Sequence, residues 1–129
     1  MNSVEFNQVE KKVLVLRRGI VHYFAERGFK VRVIYRASSL NSGEDAPPNL
    51  LPTRRKKDRI TIFLDFQKNE GIAYTPQRVV AFLEQDAERL PILSYSYGVN
   101  IVDMDRLDEK YIFNDIQDLK ENYARILGE

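Results

Sequence analysis

Residues 29–36, FKVRVIYR, and 59–66, RITIFLDF, decide the fold. In the first, Phe29, Val31, Val33 and Tyr35 alternate with Lys30, Arg32, Ile34 and Arg36. In the second, Ile60, Ile62, Leu64 and Phe66 alternate with Arg59, Thr61, Phe63 and Asp65. Side chains on a strand point to opposite faces at every step, so this period marks two strands with one face on the core and one toward water or a partner. Between them lies the polar interruption ASSLNSGEDAPPNLLPTRRKKD, residues 37–58. The simplest pairing is an antiparallel hairpin with an oversized tip. Connections this long without structure of their own are functional or disordered more often than not.

Working outward toward the N-terminus, Phe6, Val9, Val13, Leu16, Ile20 and Phe24 recur at three- and four-residue spacing. That is one face of a helix. Asn2 suits its N-cap with Glu5 completing a capping box, and Gly28 suits its left-handed stop. Lys11, Lys12, Arg17 and Arg18 fall off the stripe and read as a solvated helix face. Toward the C-terminus, Lys68 to Gly71 reads as a turn, and Thr75-Pro76 carries the chemistry of a helix start. Val79, Val80, Leu83, Ala87 and Leu90 would then form a buried stripe ended by Pro91, with Glu84 outside it. A third strand is expected over 92–102, with Gly98 as a bend or bulge. Ile112, Ile116, Leu119, Tyr123 and Ile126 predict a last helix. Asn114 with Gln117 offers a later start, leaving 111–113 as a short strand.

The expected order is α-β-β-α-β-α. The expected fold is a single α+β domain over residues 1–129: a two-layer sandwich with an antiparallel or mixed sheet of three to four strands, helices packed on one face, and a long hairpin loop at 37–58.

Composition limits the function. The chain has 129 residues, a 43% hydrophobic share, a 30% charged share and a formal net charge of +1. A domain of this size holds a core without staples, and near-neutral charge exerts no global pull toward nucleic acid. There is no cysteine, which excludes disulfides and thiolate metal sites. A single histidine, His22, excludes a histidine-rich metal site within one chain; it has no evident partner and reads as a partly buried lone histidine. The first residues lack the basic and apolar regions of a signal peptide, and no apolar run reaches the ~20 residues that span a bilayer. No membrane partner is expected, and the location expected is cytoplasm or virion. The chain carries no phosphate-cradling glycine motif and no cofactor signature.

Three constellations remain. The basic run Arg54, Arg55, Lys56, Lys57 with Arg59, extended by Arg32 and Arg36, would release counterions from a phosphate backbone. The turn Asp103 to Glu109 carries four carboxylates but lacks the glycine and the spacing of a calcium loop, so it reads as acids favouring the next helix N-terminus. Asp58, Asp65 and Lys68 bracket a strand as a metal-dependent nuclease would require, without the usual second acid. Seven tyrosines and seven phenylalanines supply core and interface material; Tyr95, Tyr97, Tyr111 and Tyr123 suit either.

The reading these features favour is a non-enzymatic assembly subunit, probing a neighbouring protein or a second copy with the 37–58 arm. Leu40, Leu50 and Leu51 would be its apolar anchors and Arg54 to Lys57 with Arg59 its charged ones. The element order, with an extended hairpin loop reaching the next subunit, is similar to that of small phage tail-terminator proteins. That likeness implies a ring-forming tail or neck component. A nucleic-acid-binding module is the alternative, and a small metal-dependent nuclease the third.

Overall fold

A computed structural model of the chain describes residues 3–38, 50–52, 59–67, 76–96 and 99–128. It is an α+β fold with a four-stranded mixed sheet, as the alternation predicts. Helix α1 spans Ser3–Ala25. Its end follows from Gly28, whose φ of 87° lies where only glycine sits without strain. The Gly28 N–H donates to Ala25 O at 3.1 Å and the Phe29 N–H to Phe24 O at 2.9 Å. Those two bonds are a Schellman stop. Phe24 and Phe29 both set their rings against Tyr123, so the stop is clamped by aromatic packing.

Strand β1 (Lys30–Ser38) pairs with β3 (Arg59–Gln67), but in parallel, with Lys30 opposite Arg59 and Ser38 opposite Gln67. The expected hairpin is therefore wrong. A parallel pair needs a crossover of a dozen residues or more, and residues 39–58 supply it. Part of that crossover, β2 (Leu50–Pro52), pairs antiparallel with β6 (Val99–Val102).

The helix expected from Thr75-Pro76 is instead strand β4, Pro76–Leu83, followed by a 3-10 turn, Glu84–Arg89. Val79, Val80, Ala81 and Phe82 are all buried, as is fitting for a central strand covered on both faces. A short continuous apolar run of this kind has no period that separates strand from buried helix; the β-branched pair Val79-Val80 and Phe82 suit the pleated surface. β4 lies antiparallel to β3, and β7 (Ile112–Phe113) completes the sheet in the order β1-β3-β4-β7.

The strand expected over 92–102 is two strands, β5 (Ile92–Ser96) and β6, joined across Tyr97-Gly98 and paired antiparallel. With β2 they form a second sheet, β2-β6-β5. The last helix begins late, as α2, Ile116–Asn122. Asp115 caps it by accepting the Asp118 N–H at 2.7 Å, and Asp118 reaches back to accept the Asn114 N–H at 2.9 Å. This reciprocal pair is what fixes the start.

Pairing register sorts the main sheet into two faces. One carries Val31, Val33, Tyr35, Ile60, Ile62, Leu64 and Val79, and α1 lies on it: Glu10 of α1 accepts a hydrogen bond from Tyr35 Oη. Tyr23 Oη donates to Lys120 O at 2.8 Å and so ties α1 to α2. The other carries Arg32, Ile34, Arg59, Thr61, Phe63, Val80 and Phe82. It is not left to water, since Phe63, Val80 and Phe82 are buried. Burial of each such side chain contributes roughly 1.5–3 kcal/mol. Tyr111 stands edge-on to Phe82 on this face.

Candidate functional site

The second face places charge at both ends of an apolar centre. At one end, Arg32, Arg59 and Thr61 project from neighbouring positions of β1 and β3. Ile60 opposes Leu83, so the next residue, Glu84, arrives beside Arg59. The Glu84 side chain is 0% exposed, against 21% for Arg32 and 16% for Arg59. Its Oε1 accepts from Arg59 Nε at 2.6 Å and from Thr61 Oγ1 at 2.8 Å. Arg32 Nη2 lies 3.2 Å from the same oxygen.

Three donors on one oxygen make a short, charge-assisted network. Burial, foremost, holds the Arg32 guanidinium below the usual arginine range; Glu84 works against that shift and Arg59 adds to it. Two guanidiniums on one carboxylate leave a local excess of one positive charge. Chemically, Glu84 is an acceptor saturated by cations rather than a free base. Structurally, it joins β1, β3 and the exit of β4 at one point.

At the other end Asp65 and Arg78 face each other across β3 and β4, with Asp65 Oδ2 3.6 Å from Arg78 Nη2. Asp65 was one acid of the nuclease constellation; its neighbours there, Asp58 and Lys68, lie outside the described residues. Among the described residues no group of three or more His, Cys, Asp or Glu is arranged to hold a metal ion.

Of the residues expected to meet a partner, Leu50, Leu51 and Arg59 lie among the described residues. Leu50 and Leu51 belong to β2, opposite Ile101 and Asn100 of the same chain. Arg59 is bound to Glu84, and so is Arg32, which removes both from a free basic strand face. Leu40, Arg54, Arg55, Lys56 and Lys57 lie outside the described residues, as does the arm's order in isolation. The acidic turn acts locally: Asp103 accepts the Asp105 N–H at 3.2 Å and Asp108 the Lys110 N–H at 3.0 Å, each capping a 3-10 turn. Tyr111 is buried and Tyr123 half-buried among aromatic rings. His22 is exposed rather than partly buried, and its partner is Glu26 one turn on, Nε2 to Oε1 3.1 Å.

Two features are not legible in the sequence. The helical spacing of 79–90 puts Glu84 on an outer face; as the end of a strand, its parity with Phe82 points it at Arg59. The other is on α1. Leu14, Val15 and Val21 are 56%, 71% and 37% exposed, and they are the exposed large hydrophobic side chains among the described residues. Their spacing sits off the core stripe and forms an outward one.

Comparison with known protein families, with curated proteins and with solved structures finds no match. Among the described residues no helix is long and apolar enough to cross a membrane.

Proposed function

We propose that this chain is a non-enzymatic assembly subunit that works by associating with protein, in the first place with further copies of itself. The observation that carries the reading is the outward apolar surface of α1. Among the described residues, the three exposed large hydrophobic side chains gather on one helix, whereas isolated exposed residues scattered over a surface would call for no explanation. The commitment of Arg32, Arg59, Thr61 and Glu84 to one another supports it, since this buried polar cluster serves strand cohesion. The specific form we favour is a ring-forming component of the phage tail or neck type, found in cytoplasm or virion.

The test is mass against concentration by light scattering with size-exclusion chromatography. The expected result is a mass above the 15.1 kDa of one chain that grows with concentration. A constant single-chain mass to the highest soluble concentration would overturn the reading.

Nucleic-acid binding through Arg54 to Lys57 is the second reading. It has lost Arg32 and Arg59, which are bound to Glu84. Steep salt-dependent binding to random DNA, abolished by reversing the charges at 54–57, would promote it above the first.

A further inference from the structure

Helix α1 carries two stripes. Val13, Ile20 and Phe24 are buried against the sheet. Lys11, Leu14, Val15, Arg18, Val21 and Ala25 are all exposed and recur at three- and four-residue steps. That is the spacing of a helix seam made to meet another surface. Its chemistry is mixed: apolar at Leu14, Val15, Val21 and Ala25, and basic at Lys11 and Arg18, with Lys12 and Arg17 on its shoulders. Pairing this stripe with its own copy would bring like charges together, which an interface disfavours.

A complementary surface lies elsewhere on the same molecule, in the segment Asp103–Glu109. α1 lies on the sheet face that carries Tyr35. The segment Asp103–Glu109 runs into Tyr111, whose ring packs on Phe82 of the other face. In that segment Asp105, Asp108 and Glu109 are exposed with the exposed Arg106 between them, so the surface is net acidic, and two of the turn's carboxylates are held in place by capping bonds to the Asp105 and Lys110 N–H groups. Ile112, half-buried, follows at the edge of the sheet. Both surfaces are exposed in the folded chain, so neither covers the other.

We propose that the outward stripe of α1 docks on the Asp103–Glu109 turns of a second copy, with Arg18 facing Asp105 and Glu109. Rested on the assembly reading above, this deepens it: the contact uses different surfaces on the two partners. Such a head-to-tail contact does not stop at two copies but continues into a closed ring or an open filament. Asymmetry follows directly, since each subunit offers one stripe and one acidic surface.

The experiment is a charge swap read by sedimentation velocity. Arg18→Glu alone, and Asp105→Lys with Glu109→Lys in a second protein, are each expected to lower self-association at least tenfold, circular dichroism confirming that both remain folded. None of the three residues is in the core, and neither Asp105 nor Glu109 supplies a capping carboxylate. Mixing the two variants must restore assemblies in which they alternate, and so must placing all three changes in one chain. High salt should weaken the wild-type assembly. Wild type that associates, with variants that neither lose association nor rescue each other, would overturn this contact and leave the assembly reading standing. Wild type that stays single at every concentration would overturn both. Loss on Arg18→Glu without rescue on mixing would assign the stripe to a different acidic partner and overturn the proposal as stated.

Discussion

The two ends of one sheet face close the same apolar centre in different ways. At the Glu84 end a fully buried carboxylate gathers two guanidiniums and a hydroxyl on a single oxygen, within 2.6–3.2 Å. At the Asp65 end the carboxylate lies 3.6 Å from the Arg78 guanidinium, and Arg78 is 32% exposed. Both ends set Arg against a buried acid, Asp65 being 7% exposed, so the closeness of the donors and the access of water to the guanidiniums separate them. A carboxylate removed from water costs several kcal/mol, which only close, multiple donors offset. A cross-strand pair with one partner still in water carries a few tenths to about 1 kcal/mol. The first end is therefore a joint that must be complete, and the second a pair that can be loosened.

Removing Glu84 should break that comparison hardest. Glu84→Ala strands Arg32 and Arg59 beside each other and leaves the Thr61 hydroxyl without its acceptor. The expected loss is about 3 kcal/mol, at the low end for breaking a buried pair because both guanidiniums retain some access to water. Urea unfolding measures it. A loss under about 1 kcal/mol would mean that the network is screened like a surface pair, and the contrast between the two ends would vanish.

Asp65→Asn sharpens the contrast from the weaker side. It keeps the shape and removes the charge opposite Arg78, so about 1 kcal/mol is expected, in the same denaturant assay and with an unchanged slope. A loss equal to that of Glu84→Ala would show that distance and exposure do not rank these sites.

The same two ends explain what could be read from the sequence. The alternation in 29–36 and 59–66 sorted Arg32, Arg59, Thr61 and Asp65 onto one face correctly, because the strand period is exact in the chain itself. Gly28 as the stop of α1 was equally legible, since a left-handed residue there has few substitutes. The partners were not legible. Whether β1 and β3 run parallel depends on where residues 39–58 travel, which no local period records, although the length of that stretch is what a parallel crossover requires. Glu84 and Arg78 needed β4 to be recognised as a strand, and PQRVVAFLE offers helical spacing and a continuous apolar run at once. A misjudged element therefore hid both acid–base pairs, while the faces themselves were right. The outward stripe of α1 was hidden differently: Lys11 and Arg18 looked like ordinary solvation, and only the exposure of Leu14, Val15 and Val21 turns them into part of a surface.

The opposite face holds the smallest effect and extends the comparison to a contact at the surface between a half-buried Tyr35 and an exposed Glu10. Tyr35 Oη donates to Glu10 Oε1 at 3.5 Å, long for a bond between oxygens. Burial, then the Glu10 charge, then that hydrogen bond raise the Tyr35 pKa above the ordinary tyrosine value. The folded protein thus favours the neutral phenol. Its contribution to stability is complete below the unfolded pKa of about 10 and is lost as pH rises through the higher folded value. Above that point a phenolate faces the Glu10 carboxylate, and α1 and β1 repel each other where they had been joined. Glu10→Gln should bring the Tyr35 ionisation, followed by ultraviolet absorbance against a Tyr35→Phe blank, back toward the ordinary value. The stability change at neutral pH should be only a few tenths of a kcal/mol, as for other exposed pairs. An unmoved titration would mean that burial alone sets the shift, and that α1 is held on this face by its apolar stripe without help from Glu10.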